Sequence, residues 1–169
     1  GGSAEIAFGT RQMMIDAHSL PIGCVSLYDQ FKIGKGEWIT DRMAAKNHIR
    51  KMLFSVVDPV NTWLRGKTPE VIASGGTANT YTAILAGKHL YDRTQSHMKK
   101  SSRKELVVIN RKLSRMSLDA RIRVPGMEKD RADVLPAGLM ILSEVLEFFS
   151  FNAFSISANG LRFGILRHY

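Results

Sequence analysis

A short apolar run, Val71-Ile72-Ala73, leads straight into Ser74-Gly75-Gly76-Thr77 and then into a helix-forming stretch. A strand that meets a glycine pair at a helix start has few ways to fold. The glycines permit a tight reversal and let backbone N–H groups approach a ligand without a Cβ in the way. The following helix leaves its first N–H groups unbonded and carries partial positive charge at that end. Anions bind at such junctions. The competing reading is a tight strand–helix turn with no ligand. A second glycine pair, Gly1-Gly2, also leads to a hydroxyl residue, Ser3. Two such loops imply one phosphate-bearing ligand between them, with Gly1, Gly2, Ser3, Gly75, Gly76 and Thr77 as phosphate-binding candidates. The chain opens without Met, and no strand precedes its first loop. This reads as a cut inside a motif, with part of an active site outside the chain.

The rest of the chain alternates short strands with longer helices. Glu5 to Phe8 and Met13 to Ala17 read as a hairpin turned at Gly9-Thr10-Arg11. Leu20-Pro21-Ile22-Gly23 breaks the pattern. Thr40-Asp41 offers N-cap chemistry for a long helix, Arg42 to Leu64, with a break near Asp58 ahead of Pro59. Arg65-Gly66-Lys67 ends it. Glu70 to Ser74 reads as a buried strand, followed by a helix from Ala78 to Leu90. His97 to Arg103 reads as a polar loop. Lys104 to Met116 has Leu106, Ile109, Leu113 and Met116 at helical spacing. Leu118 to Asp130 is irregular around Pro125-Gly126. Pro136 to Phe149 is a helix with an early proline. Phe154 to Ser157 is a strand, and Leu161 to Arg167 a last helix after Asn159-Gly160. The sum is one α/β domain with a mixed sheet flanked by helices.

Composition narrows the class. With 169 residues, 44% hydrophobic and 23% charged, the chain can bury a real core. No apolar run is long enough for a membrane helix; Val134 to Phe149 is interrupted by Ser143, Glu144 and Glu147. A single cysteine, Cys24, excludes an internal disulfide, fits a reducing cytoplasm and is expected to be buried. The net charge of +9 favours polyanionic partners. The excess is densest at Lys99-Lys100, Arg103-Lys104, Arg111-Lys112, Arg115, Arg121 and Arg123, a stretch able to steer a long polyanion. No nucleic-acid recognition motif and no aromatic–basic interleaving is present. His18, His48, His89, His97 and His168 lack metal-ligand spacing, so no zinc is assigned. Met13-Met14 and Phe148-Phe149 read as core.

Taken together the motifs resemble one known family. Gly1-Gly2-Ser3-Ala4-Glu5-Ile6 resembles the second half of the Asp-x-Gly-Gly-Gly-Ser-Thr-Glu loop of exopolyphosphatases and guanosine pentaphosphate phosphohydrolases. Pro21 to Leu27, Ala73 to Ala78, Arg131-Ala132-Asp133 to Gly138, and Ser157 to Gly164 are similar to later segments of that family, in its order and over nearly the whole chain. The resemblance implies the actin-like ATPase, sugar kinase and heat-shock protein fold, in which two ribonuclease-H-like domains face each other across a cleft. Residues 1–169 resemble the second of these, short of its first strand.

The resemblance also implies hydrolysis of terminal phosphoanhydride bonds with a divalent cation, usually Mg²⁺. Polyphosphate or guanosine pentaphosphate would be the substrate. Glu5 matches a carboxylate of the metal site, while the family's Asp three residues before Gly1 is absent. Ala4 stands where the family has Thr, and Phe163 where it commonly has Glu. Arg131 and Asp133 are expected to pair with each other at the Pro136 helix, and Arg162 to be structural. The general base is expected in the missing first domain, which leaves the isolated chain with little activity. The alternative is a non-catalytic module that senses polyphosphate or a guanosine alarmone, as a homodimer or alone.

Overall fold

The computed structural model describes residues 1–10, 12–34, 39–87 and 97–160. Arg11 of the predicted turn, the predicted helix end at 88–90, His89, and everything predicted for residues 161–169, Arg162 and Phe163 included, lie outside them.

Alternation builds the hairpin. In β1 (Ala4–Gly9), Ala4, Ile6 and Phe8 turn inward onto the core, while Glu5 and Ala7 face out. Strand β2 (Met14–Leu20) pairs antiparallel with it, Ala4 opposite Leu20 and Phe8 opposite Asp16. Thr10 Oγ1 accepts from the N–H groups of Gln12 and Met13, both at 3.2 Å, and closes the turn. Near the turn β2 projects into solvent. Met13 and Met14, predicted as core, are 61% and 67% exposed.

The helices differ from the predicted ones in instructive ways. No helix is predicted between Gly23 and Thr40, yet α1 (Cys24–Phe31) forms there, with the Gly23 N–H donating to Ser26 Oγ at 2.8 Å. Cys24 opens it half-buried rather than buried. The predicted long helix is two, α2 (Ile39–Phe54) and α3 (Val57–Leu64). Thr40 therefore lies inside a helix and is not its cap. The break falls at Ser55, whose Oγ donates to the Met52 carbonyl at 2.7 Å. Pro59 sits in the first turn of α3, where its missing N–H costs nothing.

Downstream come β3 (Ile72–Ser74), α4 (Gly76–Ala86), β4 (Lys99–Ser102), α5 (Arg103–Ser114), α6 (Leu118–Ile122), a 3₁₀ turn at Lys129–Arg131, α7 (Leu135–Phe148) and β5 (Ala153–Ser157). Their sheet has the order β3-β5-β4, with β3 parallel and β4 antiparallel to β5. The predicted mixed sheet is thus present, but the hairpin forms a separate ladder. β3 is an edge strand rather than a buried one: Ile72 is 52% exposed. The predicted loop at His97 to Arg103 contains β4, a polar edge strand held by backbone pairing to β5.

Helix α7 organises the core. It is apolar on nearly every face, as a central helix must be. Ala137, Met140 and Ile141 join the hairpin, α1, α2 and α3 on one side; Leu135, Leu139 and Leu146 join α4, α5 and the sheet on the other. Glu144 is fully buried on α7 and pairs with Lys46 at 2.6 Å and Arg50 at 2.9 Å, tying α2 to it.

Tyr81 ties α4 to β4. Its hydroxyl lies 2.7 Å from Ser101 Oγ, which donates to Glu105 Oε2 at 2.7 Å. Burial, opposed by the Ser101 hydrogen bond and reinforced by the Glu105 charge, pushes the phenol from 10.0 up to about 12. Up to the unfolded value the proton stays on in both states, and stability is flat. Above it only the unfolded chain deprotonates, so stability falls by about 3 kcal/mol by the folded value. A phenolate absorbance titration should show one of the four tyrosines titrating late, and Tyr81→Phe should remove that step. A single uniform transition would contradict the assignment.

Candidate functional site

The first glycine loop is fastened to α1. The Gly1 carbonyl accepts from the Val25 N–H at 3.0 Å. Gly23 packs so tightly beneath it that any Cβ there would overlap the Gly1 carbonyl. Ser3 Oγ donates to Glu5 Oε1 at 2.6 Å, which joins a phosphate-binding candidate to the metal candidate. Gly1, Gly2, Ser3 and Glu5 are all exposed. Among the described residues nothing lies within 4 Å of where a Gly2 side chain would be, so they make no steric demand for glycine there.

The second loop is the start of α4. Gly75 is the N-cap residue with φ of 101°, a conformation open to glycine, and no side chain caps the helix. The chain begins its helical bonding with Asn79 N–H to the Gly75 carbonyl at 3.0 Å. The N–H groups of Gly76, Thr77 and Ala78 have no hydrogen-bond acceptor among the described residues. They are the unspent donors that an anion would meet.

Arg131 lies on this loop. A Cβ on Gly76 would overlap the Arg131 guanidinium, so glycine is what lets the cation come down on the helix end. The predicted pairing with Asp133 is not what forms. Arg131 Nε donates to Glu128 Oε2 at 2.8 Å, and Glu128 Oε1 accepts from Thr80 Oγ1 at 2.9 Å. Asp133 Oδ1 instead accepts from the Val134 N–H at 2.8 Å, just ahead of α7. Glu128 sits three residues before Arg131, and that local Glu-x-x-Arg spacing was the available signal. Both Glu128 oxygens are taken, so it anchors the arginine and is no free base. The Nη1 and Nη2 groups make no hydrogen bond among the described residues.

Gly138 on α7 brings the two loops together. A Cβ at Gly138 would stand 2.5 Å from Thr77 Oγ1 and 3.2 Å from Cys24 Cβ. The N-terminal turns of α1 and α4 therefore close over one missing side chain. Gly1 is bonded to α1, so both glycine loops are fastened to helix starts that meet at Gly138. Sequence reasoning gave no role to this glycine or to the α1 terminus.

A cavity of about 410 Å³ lies at the C-terminal end of α5, lined by Tyr28, Ser114, Arg115, Ser117, Arg121 and Asp133 among others, with no glycine-loop residue in its wall. Among the described residues no three His, Cys, Asp or Glu side chains gather as a metal cage. Glu5 with its bonded Ser3 hydroxyl is a single hard-oxygen site. That suits Mg²⁺, which binds through one or two carboxylates and completes its shell with phosphate and water.

The family model described as the Ppx/GppA phosphatase family matches residues 1–168. Exopolyphosphatase 2 of Mycobacterium tuberculosis is 24% identical over 150 residues, covering 86% of this chain and 44% of the relative. A guanosine-5'-triphosphate,3'-diphosphate pyrophosphatase of Pseudoalteromonas atlantica is 25% identical over 166 residues, covering 98% of this chain and 31% of the relative. A solved structure of the Aquifex aeolicus PPX-GPPA enzyme superposes with a TM-score of 0.87 at 27% identity, over 100% of this chain and 54% of that one. The chain spans about half the length of that structure and less than half of the two curated relatives. The shared architecture is α/β of the ribonuclease-H-like kind, as the motifs imply. Among the described residues no helix is long and apolar enough to cross a membrane.

Proposed function

The chain belongs to the Ppx/GppA phosphatase family, and from that premise we propose that it supplies the second half of a composite phosphohydrolase site. The substrate carries a terminal phosphoanhydride, as inorganic polyphosphate or guanosine pentaphosphate does. One observation carries the reading. The Arg131 guanidinium rests on Gly76 at a helix start whose first N–H groups have no acceptor among the described residues. Helix end and guanidinium together place positive potential where a phosphoryl group gathers negative charge.

In this scheme the N–H groups of Gly76 and Thr77 hold oxygens of the terminal phosphate, and Arg131 neutralises it. The Gly1-Gly2-Ser3 backbone holds the neighbouring phosphate. Water attacks the terminal phosphorus, the bridging P–O bond breaks, and the shortened chain leaves with the bridging oxygen as orthophosphate forms. A carboxylate outside this chain, in a first domain, takes the proton from water. Glu5 would hold a divalent cation, which would supply further charge neutralisation at the phosphates.

Phosphate release with Mg²⁺, from polyphosphate and from guanosine pentaphosphate, tests this for the chain and the full-length protein side by side. Activity is expected in the full-length protein alone. In that protein Arg131→Ala should weaken substrate by roughly 10–100-fold, the loss of charge-assisted bonds worth about 1.5–3 kcal/mol. If both substrates bind and neither is cleaved, the hydrolase reading gives way to a sensor.

A further inference from the structure

The basic residues that cluster in the sequence meet different surroundings in the structure. Arg121 is buried. Arg103 is neutralised by Glu147 at 3.0 Å. Lys104, Arg111 and Lys112 on α5 and Arg115 at its C-terminal cap are exposed and make no side-chain ion pair or hydrogen bond among the described residues. Helical spacing puts Lys104, Val108, Arg111 and Arg115 along one stripe, with Lys112 beside it, over roughly 16 Å of axis. Val108 is 59% exposed in their midst. The opposite face, with Leu106, Asn110 and Leu113, is buried against α7. The acid on this helix, Glu105, is drawn back to β4 by the Ser101 hydroxyl. Lys100, exposed on the edge strand β4, adds to the same excess.

We infer that the outer face of α5 is a docking surface for the distal part of a long inorganic polyphosphate chain, which rests on the reading proposed above. Unpaired cations at helical intervals along a stripe fit a linear polyanion with one charge per repeat. A linear chain of this kind needs no bidentate or shape-specific pocket. Nucleic acid fits less well, because α5 carries no aromatic side chain for a base to stack upon. A membrane surface fits less well again, because the apolar face of α5 is spent on the core. The stripe therefore favours long-chain polyphosphate over guanosine pentaphosphate, whose few phosphates the glycine loops alone can hold.

The test compares the full-length protein with its Lys104→Gln/Arg111→Gln/Lys112→Gln/Arg115→Gln variant. KM for long-chain polyphosphate should rise by about tenfold or more at moderate salt, with kcat unchanged. KM for tripolyphosphate and guanosine pentaphosphate should stay within about twofold. Direct binding of long-chain polyphosphate should lose salt dependence, by a slope of roughly 0.7 for each cation removed. An unchanged KM and slope for the long chain, or an equal rise for tripolyphosphate, would overturn the inference. So would tighter retention of single-stranded RNA than of polyphosphate of equal charge. Absence of hydrolysis in the unsubstituted protein sinks only the catalytic reading, because the salt slope is read without turnover.

Discussion

Arg121→Met is expected to cost the chain at least about 3 kcal/mol of stability. Arg121 is 1% exposed, and its guanidinium spends its donors on main-chain carbonyls. Nε donates to Leu113 at 3.0 Å, Nη1 to Ala132 at 2.8 Å and Asp133 at 3.5 Å, and Nη2 to Met116 at 3.0 Å and to Gly34. These acceptors belong to the end of α5, the approach to α7 and the turn after α1. Methionine nearly fills the volume but withdraws these donors; the Leu113 carbonyl keeps the Met116 N–H at 3.1 Å, while the Ala132 and Met116 carbonyls lose the Arg121 donor, and each such loss costs about 1–3 kcal/mol before relaxation. Denaturant unfolding should show a lower midpoint with an unchanged slope. Arg121→Lys should recover only part, because a single ammonium has three donors and cannot span the fork. A midpoint shift equivalent to under about 1 kcal/mol would mean that water from the adjoining cavity replaces the guanidinium.

Arg121 also shows where sequence reasoning runs short. In the sequence it is one of a run of basic residues, and nothing local separates it from Arg115 or Arg123. Its burial is decided by three segments that meet only in the folded chain. The same holds for Gly138, whose neighbours Thr77 and Cys24 are more than sixty residues away. Local signals fared better. The hairpin, the Ser74-Gly75-Gly76 junction, α5 and α7 were legible because period, glycine and proline act within a few residues. Strand β4 was not, because Lys99-Lys100-Ser101-Ser102 has no apolar alternation and owes its form to pairing with β5. Helix α1 was hidden for a different reason. Its cap is a backbone N–H donating back to Ser26, without the usual side-chain cap at its first position. Arg131 was noticed, but its partner was misassigned because Asp133, two residues on, is nearer in sequence than Glu128, three residues back, while the folded turn at Lys129–Arg131 brings Glu128 to it.

Gly138→Ala carries the second large effect, and its direction runs against helix propensity. In an exposed helix interior the change would stabilise by up to about 1 kcal/mol. Here the new methyl would lie 2.5 Å from Thr77 Oγ1 and 2.9 Å from Thr77 Cγ2, too close for any real contact. Thr77 is short, and its Cβ is fixed by the first turn of α4, so the helix start itself must shift. Overpacking of this kind costs about 1–3 kcal/mol. The shift also moves the Gly76 and Thr77 N–H groups away from the Gly1 loop, so phosphate affinity of the full-length protein should fall by about tenfold or more, for a misplacement of a few tenths of an ångström or greater. Thr77→Ala removes both colliding atoms. Alone it should cost little stability, and combined with Gly138→Ala it should restore most of what that change loses. A coupling energy of 1 kcal/mol or more in the double-mutant cycle is thus expected, as for groups in direct contact. Additive effects would mean that Gly138 and Thr77 do not touch, and that the two helix starts are held together by something other than this notch in α7.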